Sequence, residues 1–507
     1  MYPPFTLFLR HADRSQSLEQ ILGEYRSFDT QCPSKHPRVS YKVTSAAIEK
    51  LFGVKDYSFS FLAPTSSVAD KMALLTNDFP RICGLNNTEA GQQPPLIWNR
   101  GPNTNPVYAL LVRTEWALKE FGTDAVAKWM RPAIYWNGKC DNNGQRQSES
   151  KEILFWKDKD PKRVSQKENS PAEAYLPFRF EDLATEDQHY SMVLIDSTNA
   201  AILEETEGVE HALYRYLKEA REKLQPKQTD KKTAWCQYRQ CGIEYPVKIV
   251  HPINFGYFSR SQPRQRFFLD TQRQCVTNQC MYFTIQPKEE VQDPFFYLGI
   301  LNSTTVQFFI TIHCCYDQQG RTRFFAKNMA NIPYPPPSSP ILVSLMSNLV
   351  LRMTNVRSMV YNVARELRMK VLIEKLRQGR WDLDCTESCV KSNHKQASPP
   401  SVVATQWKEL QPQNDIDVVR ICPNKNICSC LRVASLLQYA IDQLSYLLYG
   451  IPIDIQLAVE TELSIDAFTA FESVFPRQNA TTTDWYEKIM QYSDLILQNV
   501  DLVNIVT

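Results

Sequence analysis

Apolar residues recur at three- and four-residue spacing over several stretches of the chain, the spacing of one face of a helix. The longest stretch runs from Ile341 to Arg377, with Leu345, Leu349, Met353, Val356 and Val360 in register. Leu431 to Tyr449 is a second amphipathic helix, stopped by Gly450 and Pro452, and Trp485 to Val506 is a third. Upstream, Gly208 to Leu224 carries Val209, Leu213, Tyr216, Leu217 and Ala220 on one stripe. Shorter helices are predicted over Ser17 to Tyr25, Ser45 to Phe52 (ended by Gly53 past its last turn) and Val68 to Leu75. Residues 107–131 also read as helix, with Trp116 and Trp129 on the apolar side.

Short apolar runs bounded by turn residues read as strands. These are Phe5 to Leu9, Phe79 to Leu85, Arg131 to Lys139 (strand and turn) and Ser191 to Asp196. Thr233 to Pro337 then holds a meander of short strands, a buried helix start at Phe296-Tyr-Leu-Gly-Ile-Leu-Asn-Ser303, and a proline-stopped exit after Lys327. Polar sequence fills the gaps. Gly- and Pro-containing residues run to Pro106, Asp141 to Ser170 is a charged insertion, Gln225 to Lys232 is a linker, and 379–405 is a loose, cysteine-bearing linker. The pattern predicts an α+β fold, a mixed β-sheet domain flanked by helices with a helical C-terminal region. Its segments are 1–65, 66–340 and 341–507.

Composition narrows the picture. A chain of 507 residues that is 43% hydrophobic buries a substantial core and spans more than one small domain. No apolar run is long enough for a membrane span, and the N-terminus has no basic segment ahead of its apolar patch, so the expected location is cytoplasmic, nucleoid-associated, or nuclear in a eukaryote. The 14 cysteines include Cys314-Cys315, Cys385 with Cys389, and Cys422, Cys428 and Cys430, but no C-x-x-C pair, so they read as reduced thiols rather than zinc ligands. There is no G-x-G, no P-loop, no G-x-S-x-G and no H-E-x-x-H, so the common nucleotide, hydrolase and zinc-protease loops are missing. The seven histidines are dispersed and read as structural. Glu204, Glu205 and Glu207 read as compensation of a helix dipole.

Net charge is only +2, yet Lys231 to Cys275 carries eight basic side chains against Glu244 and Asp270, a local excess of six. Trp235, Tyr238, Tyr245, Phe255, Tyr257, Phe258, Phe267 and Phe268 are interleaved with them. Basic side chains neutralise phosphates and release counterions. Arg pairs with guanine edges, and Gln or Asn with adenine. The segment is therefore a candidate nucleic-acid face, with a solvated basic surface as the plain alternative.

The order of motifs adds a family likeness. Trp235-Cys-Gln-Tyr-Arg239, Pro246-Val-Lys-Ile-Val-His-Pro252, Arg266-Phe-Phe-Leu-Asp270, Val276-Thr-Asn-Gln-Cys-Met-Tyr-Phe-Thr-Ile285, Phe296-Tyr-Leu-Gly-Ile-Leu-Asn-Ser303 and Lys327-Asn-Met-Ala-Asn-Ile-Pro-Tyr-Pro335 follow one another. This series resembles the specificity (target-recognition) domain of Taq-type adenine-N6 DNA methyltransferases, as found in fused type II and BREX-like restriction-modification enzymes. Val68 to Gly91, Met130 to Gly138, and Ala440 to Ile451 with its Ile-Asp…Leu-Tyr-Gly pattern extend the resemblance to roughly residues 66–455. Residues 1–65 are similar to the C-terminal edge of a methyltransferase domain.

The resemblance implies double-stranded DNA as ligand. It points to Tyr238, Arg239, Gln240, Lys248, Arg260, Arg264, Arg266, Arg273 and Lys327 as contacts, with Arg239, Gln240, Arg260, Arg264 and Arg266 reaching base edges. It does not imply catalysis by this chain. The family's (Asn/Asp/Ser)-Pro-Pro-(Tyr/Phe) loop holds the flipped adenine. Tyr2-Pro3-Pro4-Phe5 lacks its polar residue, and Ser398-Pro399-Pro400-Ser401 lacks its aromatic. No catalytic residue, metal ligand or cofactor-binding residue is assigned. S-adenosylmethionine is expected on a methyltransferase domain or subunit that partners this one. The alternative is a non-enzymatic module that keeps the fold and binds protein.

Overall fold

The structure, a computed structural model, describes residues 6–8, 23–27, 39–43, 67–76, 78–84, 94–101, 110–134, 151–160, 190–194, 211–224, 242–252, 254–257, 267–276, 280–313, 315–316, 321–323, 329–366, 425–463 and 469–498. They form an α+β fold.

Three strands open the chain, β1 (Thr6–Phe8), β2 (Gly23–Ser27) and β3 (Val39–Val43), in an antiparallel meander that places Tyr25 opposite both Leu7 and Tyr41. β2 corrects the end of the helix expected over Ser17 to Tyr25, because cross-strand pairing overrides the helical spacing at Gly23 to Tyr25, and residues 17–22 lie outside the described residues. The expected helix at Ser45 to Phe52 lies outside the described residues.

Helix α1 (Ser67–Leu75) and strands β4 (Cys83–Gly84) and β5 (Leu96–Arg100) come next. β5 falls in the polar region read as loop, yet it is the inner neighbour of the sheet's longest strand. Strands β6 (Leu111–Arg113), β7 (Met130–Ile134) and β8 (Tyr190–Val193) and helices α2 (Thr114–Phe121), α3 (Thr123–Trp129), α4 (Lys151–Lys159) and α5 (Ala212–Leu224) follow. The single helix expected over 107–131 is thus a strand and two helices, broken where Gly122 takes φ +83°. The insertion at 141–170 contains α4, which buries Phe155 and Trp156 in an aromatic cluster. Trp116 lies at its centre, 5.2 Å from Phe121, 5.7 Å from Trp156 and 5.4 Å from Tyr216 of α5, all at steep angles.

The meander supplies β9 (Lys248–Pro252), β10 (Asn254–Tyr257), β11 (Phe268–Asp270), β12 (Cys275–Val276) and β13 (Cys280–Ile285). A five-stranded sheet runs β11-β9-β13-β5-β4, antiparallel except for β5 with β4. A four-stranded sheet runs β12-β7-β8-β6, with β12 parallel to β7. Both faces of the five-stranded sheet are covered, so its strands are buried at nearly every position. Ile249, Phe267, Leu269 and Phe283 face the main core, and Val250, Phe268 and Tyr282 face a smaller one with Ile134 and Val276.

Helix α6 (Pro294–Leu301) lies on the main-core face, entered through Asp293, whose carboxylate accepts from the Phe295 amide (2.9 Å), with Pro294 at the first position. Helix α7 (Thr304–His313) and the pair β14 (Cys315–Tyr316) and β15 (Arg321–Arg323) follow, β15 pairing with β10. Helices α8 (Pro340–Glu366), α9 (Lys425–Tyr449), α10 (Ile453–Glu462), α11 (Thr469–Glu472) and α12 (Thr483–Gln498) complete the chain. Met72 of α1, the sheet, α6, α8, α9 and α12 share one apolar core, so the boundary near 340 divides stretches of chain and not cores. Among the described residues no helix is long and apolar enough to cross a membrane.

Candidate nucleic-acid interface

The motif-bearing segments meet around the end of α6. Asn302 follows its last turn and clamps Phe267, the residue just before β11. Its side-chain amide donates to the Phe267 carbonyl (2.9 Å) and the Leu298 carbonyl (3.1 Å), and its oxygen accepts from the Phe267 amide (3.0 Å). A side-chain amide is the group that satisfies a backbone N–H and C=O at once. Ser303 donates to the Ile300 carbonyl (2.7 Å) and accepts from Ser445 of α9 (3.0 Å). Asp442 of α9 accepts from both the amide and the hydroxyl of Thr304, and Gln438 reaches the same carboxylate (3.1 Å). The carboxylate stands at the N-terminus of α7, where a negative charge complements the helix dipole. Gly299 allows the next contact. A Cβ there would lie 2.5 Å from Met346 Sδ and 2.7 Å from Val350 Cγ2 of α8.

The exit segment is fixed in the same way. Tyr449, which ends α9, donates to the Pro333 carbonyl (2.8 Å), and the 80–82 backbone pairs with Ile332 and Tyr334. The Tyr297 and Tyr334 rings stack at 27°, and burial raises both phenols, Tyr334 to about 12, so both are neutral at physiological pH.

At the far edge of the sheet, β11 and β9 place Asp270 directly opposite Lys248. The two side chains form an ion pair that is wholly buried. This corrects the reading of Lys248 as a phosphate contact. Its amine is enclosed within the sheet, under Gly242 (φ +80°), where an added Cβ would sit 3.2 Å from the lysine Cδ and Cε. The sequence signal missed was register, which alone shows that the basic residue of one strand faces the acid of another.

The Asp270 carboxylate does more than neutralise Lys248. It accepts from the Gln272 amide (2.8 Å) and the Gln274 amide (3.0 Å), folding the chain into a tight turn. Arg273 lies between those amides, exposed and at φ +54°, among the described residues the one non-glycine in the left-handed region. The turn spans the junction of the two sheets, because β11 before it belongs to the five-stranded sheet and β12 after it to the four-stranded one.

Of the other sequence-predicted contacts, Tyr238, Arg239, Gln240, Arg260, Arg264, Arg266 and Lys327 lie outside the described residues. His251 is buried and stacks on Phe283 at 26° (5.2 Å), a core position rather than a catalytic one. Among the described residues no cluster of three or more His, Cys, Asp or Glu is placed to hold a metal ion. Cys83 and Cys430 are buried thiols whose burial raises them, Cys430 to about 12, which makes them poor nucleophiles.

No protein-family model matches the chain, and no curated protein sequence is significantly similar to it.

Proposed function

We propose that the chain is the sequence-specific DNA-recognition part of an adenine-N6 DNA methyltransferase or restriction-modification system. The observation that supports this most is the exposed Arg273 turn at the junction of the two sheets, within a segment whose basic excess exceeds that of the whole chain. In this reading the duplex lies along that junction. Arg273 neutralises a phosphate, and Arg239, Gln240, Arg260, Arg264, Arg266 and Lys327 supply further phosphate and base contacts. The buried links of Asn302, Ser303, Thr304 and Tyr449 give the meander a rigid base, and rigid elements position contacting loops best.

Methyl transfer belongs to a partner in this reading. The chain has no G-x-G loop, and Tyr2-Pro3-Pro4-Phe5 and Ser398-Pro399-Pro400-Ser401 each lack a residue the chemistry needs. No methyl-transfer step is therefore derived for its own residues. The experiment is selection of bound duplexes from a random-sequence pool by the full chain. Enrichment of one short sequence is expected, and uniform recovery of the pool would contradict the reading.

A second reading rests on a different surface. Leu74 of α1 is 78% exposed and Leu457 of α10 is 45% exposed, with Leu75 and Ile453 also exposed on the same two adjoining helices. Apolar groups gathered on a surface favour a protein-interaction module. Replacing Leu74 and Leu457 by Glu would then abolish a protein complex and leave DNA binding unchanged.

A further inference from the structure

We propose that the buried Lys248–Asp270 pair is the positioning unit of the DNA-contacting turn: Lys248 acts on DNA through Arg273, which it never touches. The inference rests on the DNA-recognition reading and assigns the turn's geometry to named residues.

Four observations lead to it. First, two main-chain amides of the turn converge on one carboxylate, at 2.8 and 3.0 Å. Amides so gathered form an anion-binding concavity. Here an internal anion fills it, so a phosphate would have to meet the turn through its exposed side chain. Second, that carboxylate is wholly buried, and a buried carboxylate needs compensation, which among the described residues Lys248 supplies as a charge. Third, Lys248 is itself held by register, directly across the strand pair, and by Gly242 closing over its alkyl chain. Fourth, the turn is pinned at both ends by strands of different sheets, so Asp270 fixes a short stretch where the chain crosses from one to the other. The result is an exposed arginine held in a backbone conformation that arginine rarely adopts.

The sequence logic is economical in residue types. Neither Lys248 nor Asp270 reaches solvent, so neither can contact a ligand, while Gln272 and Arg273 are exposed. The ion pair and the contact residue are thus separate parts of one device, and removing any part should cost the same phosphate contact.

The test uses the full chain and a fluorescein-labelled random-sequence duplex, with affinity measured across a salt series and melting temperature measured in parallel. Arg273→Gly keeps the left-handed backbone and deletes the side chain. It is expected to lower the slope of log K against log salt by about 1, as loss of one phosphate contact does. Arg273→Lys is expected to retain the slope. Gln272→Pro removes an amide that Asp270 holds and leaves the ion pair in place, so it tests the turn without the core, and Asp270→Asn tests the pair. Both are expected to lower the slope as Arg273→Gly does, and Gln272→Pro combined with Arg273→Gly to lower it no further. A wild-type slope near zero would overturn the DNA reading and this inference with it. A steep wild-type slope that Asp270→Asn and Gln272→Pro leave unchanged would overturn this inference alone, whatever those variants do to the melting temperature. Should Asp270→Asn not fold, Gln272→Pro carries the decision.

Discussion

Thr304 and Asp442 are 138 positions apart in the chain, yet the amide and the hydroxyl of Thr304 both donate to the Asp442 carboxylate, each at 2.7 Å. The bond joins the first turn of α7 to the middle of α9 and closes the polar seam that runs from Asn302 to Ser445. Both residues are fully buried, so removing the Asp442 carboxylate strands both Thr304 donors. Asp442→Ala is expected to cost about 3 kcal/mol, the range for stranding buried donors of a charged acceptor. Asp442→Asn, which keeps an acceptor for the amide, should cost roughly a third as much. Urea unfolding of the two variants measures both, and equal losses would contradict the assigned bonds.

Asn302 has the same standing at the start of β11. Asn302→Ala leaves the Phe267 amide and carbonyl without their partner in a buried site, an expected loss of about 3 kcal/mol. Because Phe267 leads directly into β11, slowed exchange of the β11 amides should also be lost. Retention of that protection in the variant would show that the strand is held by pairing with β9 alone.

Gly299→Ala tests close approach. The added methyl would overlap Met346 and Val350, so the variant should lose about 1–3 kcal/mol by overpacking. Met346→Ala in the same chain opens the space, and the double variant should be less destabilised than the sum of the two singles. Simple additivity would place α8 farther from α6 than it stands.

Acid should loosen the aromatic unit before the main core. Burial pushes the Glu219 carboxyl up, but hydrogen bonds from Lys159 (2.5 Å) and Lys223 (2.8 Å) outweigh it, and its pKa lies below the usual carboxylate range. A carboxylate lowered in the folded state contributes stability above its unfolded pKa, and that contribution is lost as pH falls through the folded value. Glu219→Gln should therefore lower the melting temperature at neutral pH, and the difference from wild type should vanish in acid. A difference that persists at low pH would mean the glutamate acts by packing.

Much of this architecture is legible in the residues, for identifiable reasons. Helices α5, α8 and α12 each bury an apolar stripe, and spacing alone reveals such helices, whereas α9, expected to be amphipathic, is buried on every face from Cys430 to Tyr446. Strands β9, β11 and β13 are likewise marked by β-branched and aromatic residues. Strand β5 escapes because Asn99 and Arg100 interrupt its apolar run, and α4 escapes because Phe155 and Trp156 sit among lysines and acids. In both cases burial is set by partners far away in the chain. The site is legible in part. Arg273 stands out by charge, but its left-handed backbone does not, and Lys248 reads as a surface cation until register places it against Asp270.

The buried pair gives a further outcome. Lys248→Met strands the Asp270 carboxylate within the sheet and should cost about 3–5 kcal/mol, the usual loss when one member of a buried pair is removed. A loss under about 1 kcal/mol, typical of exposed pairs, would mean that water reaches the site. Thermal and urea unfolding of the variant measure this directly.

The measurement that bears most directly on the account is the salt dependence of duplex DNA binding by the full chain. A log K against log salt plot that falls linearly, with a slope of several units, is predicted from a cluster of phosphate-neutralising side chains. A slope near zero, or no binding at low salt, would contradict the assignment of this chain to DNA recognition.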